Sequence, residues 1–358
     1  MAKPSRFTQV AVSFALVATS LVYVPAVAPT VFAETKAAGQ KTPARAATKP
    51  AAKKKAYSPT TARTRRANLA RARAAARARE IKEVQTPRFR VDEFGREVPD
   101  VRAEAAIIYN PETGEVLWEN HSKDQRSIAS ITKVMTALVF LESETPLSTM
   151  VTVQRSDVAR ASTTYLRNGF KLTAEDLLNL LLVGSDNAAA RALARVSVLG
   201  YDAFIQRMNG KARELGLEST VYSDPSGLLA DNMSSAYDQA RLIAYAAADE
   251  RVGAIMRKSS YTTSMGKRVI HANSTNQIVR VGDIDVVGGK TGFISRSGYC
   301  LATLLRLPQS GQQVAFVVLG AKSNASRFWE TRHLFNWMAS RTKSLLEGDF
   351  QQHQQQNH

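Results

Sequence analysis

Apolar residues recur with strand or helix spacing only between residues 101 and 347, and the order of these two patterns constrains the fold. The apolar runs 105–109 and 116–119 flank a turn and predict a hairpin. Segments with helical spacing follow from 130 to 248. Three short apolar runs between 286 and 319 then predict strands, and 328–346 predicts a closing helix. This order indicates an α+β domain, an antiparallel sheet flanked by helices plus a helical lobe.

The first 33 residues have the composition of a signal peptide. Lys3 and Arg6 precede an apolar stretch from 10 to 24, and residues 31–33 fit the pattern of a cleavage site. We therefore expect the rest of the chain to be exported to the periplasm or cell envelope, with no transmembrane segment after cleavage. An uncleaved anchor is the alternative, and it implies export as well.

Most of the formal net charge of +17 belongs to the segment that follows. Residues 34–84 contain 15 Lys and Arg against three Glu, a net of +12, and almost no large apolar side chains. Such a segment cannot offset its ordering entropy by burial. We predict a disordered basic tether over 34–100 and a frayed Gln/His-rich tail over 348–358. The tether is either a solvated spacer, or its residues 34–84 bind anionic envelope polymers. Because the chain is expected to be exported, we do not expect it to bind nucleic acid.

Three short motifs within the domain predict nucleophilic catalysis by a serine. Ser-x-x-Lys at 130–133 opens a predicted helix, Ser-x-Asn at 185–187 lies between two helices, and Lys-Thr-Gly at 290–292 ends a predicted strand. Ser-x-x-Lys also occurs at 264–267, among turn residues, and at 340–343, after the Lys-Thr-Gly triplet. The context and order of the first set therefore single it out.

The spacing of the first motif suits acyl transfer. Positions i and i+3 share a helix face, so Lys133 can bring its amine to the Ser130 hydroxyl. A serine hydroxyl needs a base, and lysine acts as one only when it is neutral. Burial and a neighbouring cation both favour neutral lysine, and Lys290 is the expected neighbour. The positive end of the Ser130 helix acts in the same direction.

In this order and context the motifs resemble the low-molecular-mass penicillin-binding proteins, the D-alanyl-D-alanine peptidases of the S11 type. The likeness runs over about 101–347 and includes Tyr-Asn-Pro-Glu-Thr-Gly at 109–114 and Gly-Ser-Asp-Asn-Ala-Ala at 184–189. It implies a β-lactamase/DD-peptidase-like fold, an acyl-enzyme formed with peptidoglycan stem peptides, and β-lactams as covalent inhibitors. The five histidines lack metal-ligand spacing, so we expect neither a metal nor a cofactor.

The resemblance implies a role for each residue of the motifs. Ser130 is the nucleophile, Lys133 the base, and Ser185 the relay of a proton to the leaving amine. The implied substrate-binding residues are Asn187, which also bonds Lys133, Lys290 and Thr291, which hold the substrate carboxylate, and Gly292 and Phe293. The backbone N–H groups of Ser130 and Phe293 are expected to form the oxyanion hole.

Attack on a cross-link and attack on a terminal D-alanine use the same chemistry, so the motifs leave both open. Only 66 residues follow Gly292, too few for the further β-rich domain that carboxypeptidase members usually carry. The Gly-Gly-Lys-Thr-Gly-Phe context at 288–293 resembles the penicillin-binding protein 7-like endopeptidase subgroup. We therefore expect a D-alanyl-D-alanine endopeptidase, with a carboxypeptidase as the alternative.

Two other functions are less well supported by the residues. A β-lactamase would need an added Glu to activate the deacylating water, and no Glu-x-x-Asn segment lies between 185 and 290. A non-enzymatic wall-binding protein would not need the complete set of Ser, Lys, Ser, Asn and Lys in the three motifs. Turnover of a β-lactam distinguishes the first of these, because a DD-peptidase retains it as a slow acyl-enzyme.

Overall fold

The computed structural model describes residues 59–356, so the predicted signal peptide, residues 34–58 of the predicted tether and the last two residues lie outside it. The helices are α1 (Pro59–Gln85), α2 (Lys133–Glu142), α3 (Arg155–Val158), α4 (Ala174–Leu182), α5 (Asn187–Val196), α6 (Tyr201–Glu214), α7 (Ala236–Ala248), α8 (Glu250–Met256), α9 (Gln277–Val281) and α10 (Asn324–Gln356). The strands are β1 (Phe89–Val91), β2 (Glu97–Pro99), β3 (Ala105–Tyr109), β4 (Val116–Asn120), β5 (Arg126–Ser127), β6 (Met150–Thr152), β7 (Lys171–Thr173), β8 (Met233–Ser234), β9 (Ser260–Met265), β10 (Arg268–Asn273), β11 (Val286–Ile294), β12 (Gly298–Arg306) and β13 (Gln313–Ala321).

The principal sheet is five-stranded and antiparallel, in the order β11-β12-β13-β3-β4. Strand β3 pairs with β13, with Ile107 opposite Val317, so the first hairpin joins the last three strands. The helices between β4 and β11 therefore form a lobe inserted into the sheet. The predicted α+β class and the antiparallel sheet with a helical lobe are confirmed. Strand β11 lies at one edge of the sheet, with its outer side free to face the lobe.

Both faces of the sheet are buried, which explains the unbroken apolar run of β3. Ala105, Ile107 and Tyr109 pack into the core formed with the helical lobe. Ala106 and Ile108 point to the other face, into a second core shared with α10. Because successive side chains of a strand alternate between faces, each residue serves one core. Burying one large aliphatic side chain contributes roughly 1.5–3 kcal/mol.

Within the helical lobe, helix α4 begins at a capping motif. Thr173 caps α4: its hydroxyl accepts the backbone N–H of Asp176 over 3.0 Å, and the Asp176 carboxylate accepts the backbone N–H of Thr173 over 3.1 Å. This reciprocal pair satisfies donors that the first turn would leave open. Leu177, Leu178 and Leu181 behind the cap are buried in the core of the lobe.

The prediction of a disordered tether over 34–100 does not hold from residue 59 onwards. Helix α1 has no apolar face, but it is rich in Ala and Arg, which have high helix propensity, and it is long enough to outweigh the cost of nucleation. It ends against the domain, where Glu83 pairs with Arg102 over 2.9 Å. No helix within 59–356 has both the length and the apolar character needed to cross a bilayer.

The hairpin β1–β2 extends the domain before the predicted start at residue 101. Val98 is buried in the core that contains Phe335 and Met338 of α10. The ring of Phe89 meets His333 edge-on, with 5.0 Å between centroids. Local patterns do not predict this hairpin, because each strand has only three residues and all three side chains of β1 are exposed. At the other end α10 continues to Gln356, so the predicted frayed tail is largely helical.

Candidate active site

Ser130 lies on a 3₁₀ turn, Ala129–Thr132, immediately before α2 and not inside that helix as the sequence predicted. Two glycines pack directly on this turn. A Cβ added to Gly227 would lie 2.0 Å from the Ala129 carbonyl oxygen, and one added to Gly292 would lie 2.5 Å from the Ile128 carbonyl oxygen. These positions therefore require glycine, and the turn is held between the floor of the cleft and strand β11.

Lys133 is fully buried beneath Ser130. Its Nζ donates hydrogen bonds to Ser130 Oγ at 2.8 Å, to Asn187 Oδ1 at 2.6 Å and to the Ser226 carbonyl oxygen. The three acceptors match the three donors of an ammonium group. The structure thus brings together the Ser, Lys and Asn of the first two motifs.

Burial lowers the pKa of Lys133 to about 7, because an ammonium loses its hydration there. Nearby Arg191 also lowers this pKa, whereas the carboxylates of Asp224 and Asp186 raise it. Lys290, which the sequence suggested as the neighbouring cation, is not among the groups that shift the pKa of Lys133; instead, the charge of Lys133 helps to lower the pKa of Lys290. A substantial fraction of Lys133 is therefore neutral near pH 7 and able to accept a proton.

Lys290 is the second buried lysine of the site. Its Nζ donates to Ser185 Oγ at 2.8 Å and to the Thr291 carbonyl oxygen at 2.9 Å. Burial, together with the charges of Lys133 and Arg327, holds its pKa well below the usual value. Strand β11 continues through this motif to Ile294, whereas the sequence predicted that the strand ends at Lys290. The glycines around it lower the strand propensity, but pairing with β12 overrides that local preference.

The middle motif is shaped by an unusual backbone conformation and by one carboxylate. Ser185 has φ of 57°, in the left-handed region, and its hydroxyl meets Lys290. Asp186 caps α5 and also accepts the backbone N–H of Tyr165 at 2.6 Å. The Asn187 side chain donates to the Ala161 carbonyl oxygen at 2.6 Å. The motif therefore fixes the loop that forms the wall opposite β11.

The floor of the site is the Asp224-Pro225-Ser226-Gly227 segment, whose residue types are typical of a turn. The Asp224 carboxylate accepts backbone N–H groups from Ser226 at 2.6 Å, Gly227 at 2.8 Å and Leu229 at 2.7 Å. This fixes the Ser226 carbonyl oxygen against Lys133. The sequence contains no pattern that predicts the Ser226 carbonyl oxygen as a hydrogen-bond acceptor for Lys133; only the turn-forming residues are recognisable.

These elements enclose an open cleft of about 380 Å³. Among the predicted residues, it is lined by Ser130, Ser185, Asn187, Thr291, Gly292 and Phe293, while Lys133 and Lys290 lie buried behind the lining. Ser130 is half-buried and reachable, whereas the side chain of Phe293 is 47% exposed at the rim. All eight residues thus belong to one site, and their individual roles remain predictions.

Arg327 and Thr275 are among the residues that line the cleft and were not predicted from the sequence. Arg327 on α10 donates to the carbonyl oxygens of Gly292 at 2.9 Å and Cys300 at 3.1 Å. Burial lowers its pKa to about 10, so it stays charged at neutral pH, and no carboxylate in the described part of the chain pairs with it. Thr275 accepts a hydrogen bond from the Thr291 hydroxyl at 2.6 Å. Neither Arg327 nor Thr275 belongs to one of the three motifs. That Arg327 is buried beside the cleft can be recognised only from the packing of α10.

Comparison with known proteins agrees with this geometry. The sequence profile of the family Peptidase S11, described as D-alanyl-D-alanine carboxypeptidase, matches residues 92–323. The chain belongs to this family. The matched residues begin within the β1–β2 hairpin and extend beyond Gly292, so all three motifs of this S11 peptidase lie inside the match.

Relatives of this S11 peptidase include two curated endopeptidases and a solved transpeptidase. The D-alanyl-D-alanine endopeptidase of Escherichia coli (strain K12) is 32% identical over 67% of this chain and 78% of its own length. That of Haemophilus influenzae is 33% identical over 68% of this chain and 81% of its own length. The crystal structure of the Streptomyces K15 DD-transpeptidase has a TM-score of 0.61 and 26% identity, covering 67% of this chain and 97% of that one.

Proposed function

We propose that this chain is a serine DD-peptidase that forms an acyl-enzyme at Ser130 and cleaves the D-alanyl cross-links of peptidoglycan. The observation that carries the proposal is the 2.8 Å hydrogen bond between Ser130 Oγ and Lys133 Nζ. The lysine amine is buried and has a pKa of about 7, which suits a base at neutral pH. The names of the similar curated proteins support the same substrate class.

In the acylation step, neutral Lys133 accepts the proton of Ser130 as the serine oxygen attacks the D-alanyl carbonyl carbon. The backbone N–H groups of Ser130 and Phe293 stabilise the oxyanion. The C–N bond then breaks, and the proton passes through Ser185 to the leaving amine. The hydrogen bond from Lys290 to Ser185 supports this assignment, because it orients the Ser185 hydroxyl. Water later attacks the ester, with Lys133 again as the base.

The cleft also contains groups suited to the carboxylate beside the scissile amide. Thr291 supplies a hydroxyl, and Arg327 supplies a charge that persists at neutral pH. Arg327 lines the cleft whereas Lys290 lies buried behind the lining, so we assign to Arg327 a positive charge that faces the carboxylate. Asn187 bonds Lys133 on one side and lines the cleft on the other, which suits contact with the substrate backbone.

Cleavage of cross-links is preferred over removal of a terminal D-alanine. The two curated relatives described above are both named endopeptidases, other similar curated proteins are named carboxypeptidases, and the cleft is open with Phe293 and Ser295 exposed at its rim. The alternative, a carboxypeptidase, is favoured by the description of the family as a whole. The test compares a cross-linked dimer muropeptide with a monomeric pentapeptide. Release of D-alanine from the monomer, with the dimer intact, would reverse the assignment.

Three further parts of the proposal concern binding and location. Penicillins are expected to acylate Ser130, because they present a reactive amide and a carboxylate to the same groups. The basic residues 34–84 are proposed to bind anionic envelope polymers; most of their arginines belong to α1, where residues 63–76 are exposed. Export by the predicted signal peptide places the chain with these polymers and with its substrate.

A further inference from the structure

A second cavity, of about 170 Å³, lies where the end of α1, the β1–β2 hairpin and α10 meet. None of the described residues lines both this cavity and the cleft. The two are nevertheless close, because Arg327 lines the cleft and Glu330, three residues later on α10, lines the cavity. Residues at this spacing lie about 5–6 Å apart on one helix face. The cavity therefore adjoins the active site without being part of it.

The wall of this cavity contains three arginines, and each of them has a carboxylate partner. The pairs are Arg88 with Asp100, Arg102 with Glu83 at 2.9 Å, and Arg332 with Asp283 at 2.6 Å. His333, which also lines the wall, donates from Nε2 to the Arg88 carbonyl oxygen at 2.7 Å and meets the ring of Phe89 edge-on. The basic side chains of the wall are thus already engaged by other groups of the protein.

Glu330 is the acid of the wall that has no cation beside it. It is 8% exposed, and its Oε2 accepts the backbone N–H of Ala103 at 2.9 Å. No Lys, Arg or His within residues 59–356 lies at salt-bridge distance from this carboxylate. Burial raises the pKa of Glu330 to about 7, although the N–H groups of Ala103 and Arg102 and the charges of Arg102 and Lys322 act in the opposite direction. An ammonium group entering the cavity would supply the missing counter-charge.

The size and lining of the cavity suit an ammonium at the end of an alkyl chain. A cavity of about 150 Å³ takes a molecule of the size of benzene, and a four-carbon ammonium chain is of similar size. Half-buried Trp329 lines the wall next to Glu330, and an indole ring attracts cations. Gln85 and Asn336 also line the cavity and carry amide oxygens that can accept further N–H groups. The three donors of an ammonium group can therefore all find partners here.

We propose that this cavity binds the primary ammonium group of a stem peptide whose cross-link has been cut, with Glu330 as its counter-ion. The inference rests on the proposed function, because hydrolysis of a cross-link releases the side-chain amine that had carried the D-alanyl group. In an intact cross-link that nitrogen belongs to an amide and carries no charge, so the site accepts only stems that are free of a cross-link there. Binding of such stems holds the enzyme on the wall while the adjoining cleft acts on the remaining cross-links.

The test uses the full-length protein and two synthetic stem tripeptides that end at the diamino acid and contain no D-alanyl bond. The peptides differ only in the side-chain nitrogen, which is a free ammonium in one and is acetylated in the other. Calorimetric titration should give a Kd for the ammonium form roughly ten- to a hundredfold lower, the range of a hydrogen bond to a charged group. Glu330→Gln keeps an acceptor for the Ala103 N–H but removes the charge, and should bring the ratio of the two Kd values to about 1. Glu330→Asp should retain part of the ratio.

The matched control is Glu347→Gln, which removes an exposed glutamate of α10 outside the cavity and should keep the ratio. A purely structural role of Glu330 would weaken both peptides equally, so the ratio separates the two explanations. Equal binding of the peptides, a ratio that survives Glu330→Gln, or no binding of either peptide would overturn the site. Binding of Nα-acetyl-lysine amide as tight as that of the ammonium tripeptide would overturn the assignment to stems and favour a lysine side chain of another protein. Failure of the proposed function would be seen separately, as absence of cross-link cleavage by the unsubstituted enzyme.

Discussion

Lys290 Nζ donates a hydrogen bond to Ser185 Oγ over 2.8 Å, joining two motifs that are 105 residues apart in the sequence. This contact occupies an acceptor lone pair of the serine and leaves its O–H available as a donor. The contact is available only because Ser185 adopts a left-handed backbone conformation and Lys290 lies within the edge strand. This geometry suits a hydroxyl that passes a proton to a leaving amine.

Ser185→Ala is therefore expected to slow cross-link cleavage by about 10²–10⁴-fold, the usual contribution of a positioned proton donor. The matched control is Ser162→Ala, because Ser162 also lines the cleft and also has a positive φ, of 58°, but does not contact Lys290. Initial rates on a dimer muropeptide measure both. Equal effects of the two substitutions would remove the special role of Ser185.

The pH dependence of acylation should follow Lys133. Its pKa is lowered to about 7, mainly by burial. Below this value the amine is protonated and cannot accept the Ser130 proton, so the rate should fall about tenfold per pH unit on the acid side. Stopped-flow acylation by a penicillin measures the profile. Lys133→Arg should be inactive, because a guanidinium keeps its proton. A profile that is flat from about pH 5 to 8 would exclude Lys133 as the base.

Gly227→Ala should be disruptive because the added methyl group would clash with the backbone, in addition to the strain of the left-handed conformation. Its φ is 75°, and an added Cβ would lie 2.0 Å from the Ala129 carbonyl oxygen beside Ser130. Gly282 has a similar φ of 73° with no atom within 4 Å of an added Cβ. Gly282→Ala should cost only the left-handed strain, about 1–2 kcal/mol. Gly227→Ala should lower Tm further and abolish acylation; equal Tm values would refute the close packing.

The basic segment gives a prediction about attachment to the cell wall. Replacing exposed arginines of α1 by Gln should weaken binding of the full-length Ser130→Ala protein to purified sacculi, while replacement by Lys should preserve it. The effect should disappear at high salt, because such contacts are screened within about 8–10 Å near physiological ionic strength. Co-sedimentation measures the bound fraction. Unchanged binding by the Gln variant at low salt would reduce the segment to a spacer.

Local patterns in the sequence predicted much of the fold and most of the site. The hairpin before the first motif and the helices between residues 130 and 248 follow from local periodicity. The hairpin β9–β10 did not, because its alternating Ser and Thr residues are mostly exposed and resemble a loop. The cation Arg327 lines the cleft only through the packing of α10, which no local pattern reports.

The most direct test of the account is peptide mapping by mass spectrometry after the full-length protein has reacted with a penicillin. The account predicts one penicilloyl adduct, on the peptide that contains Ser130, and a parallel loss of cross-link cleavage as the adduct accumulates. Ser130→Ala should show neither adduct nor cleavage while retaining the Tm of the unsubstituted protein. An adduct on another residue, or one that persists in Ser130→Ala, would contradict the assignment of the nucleophile.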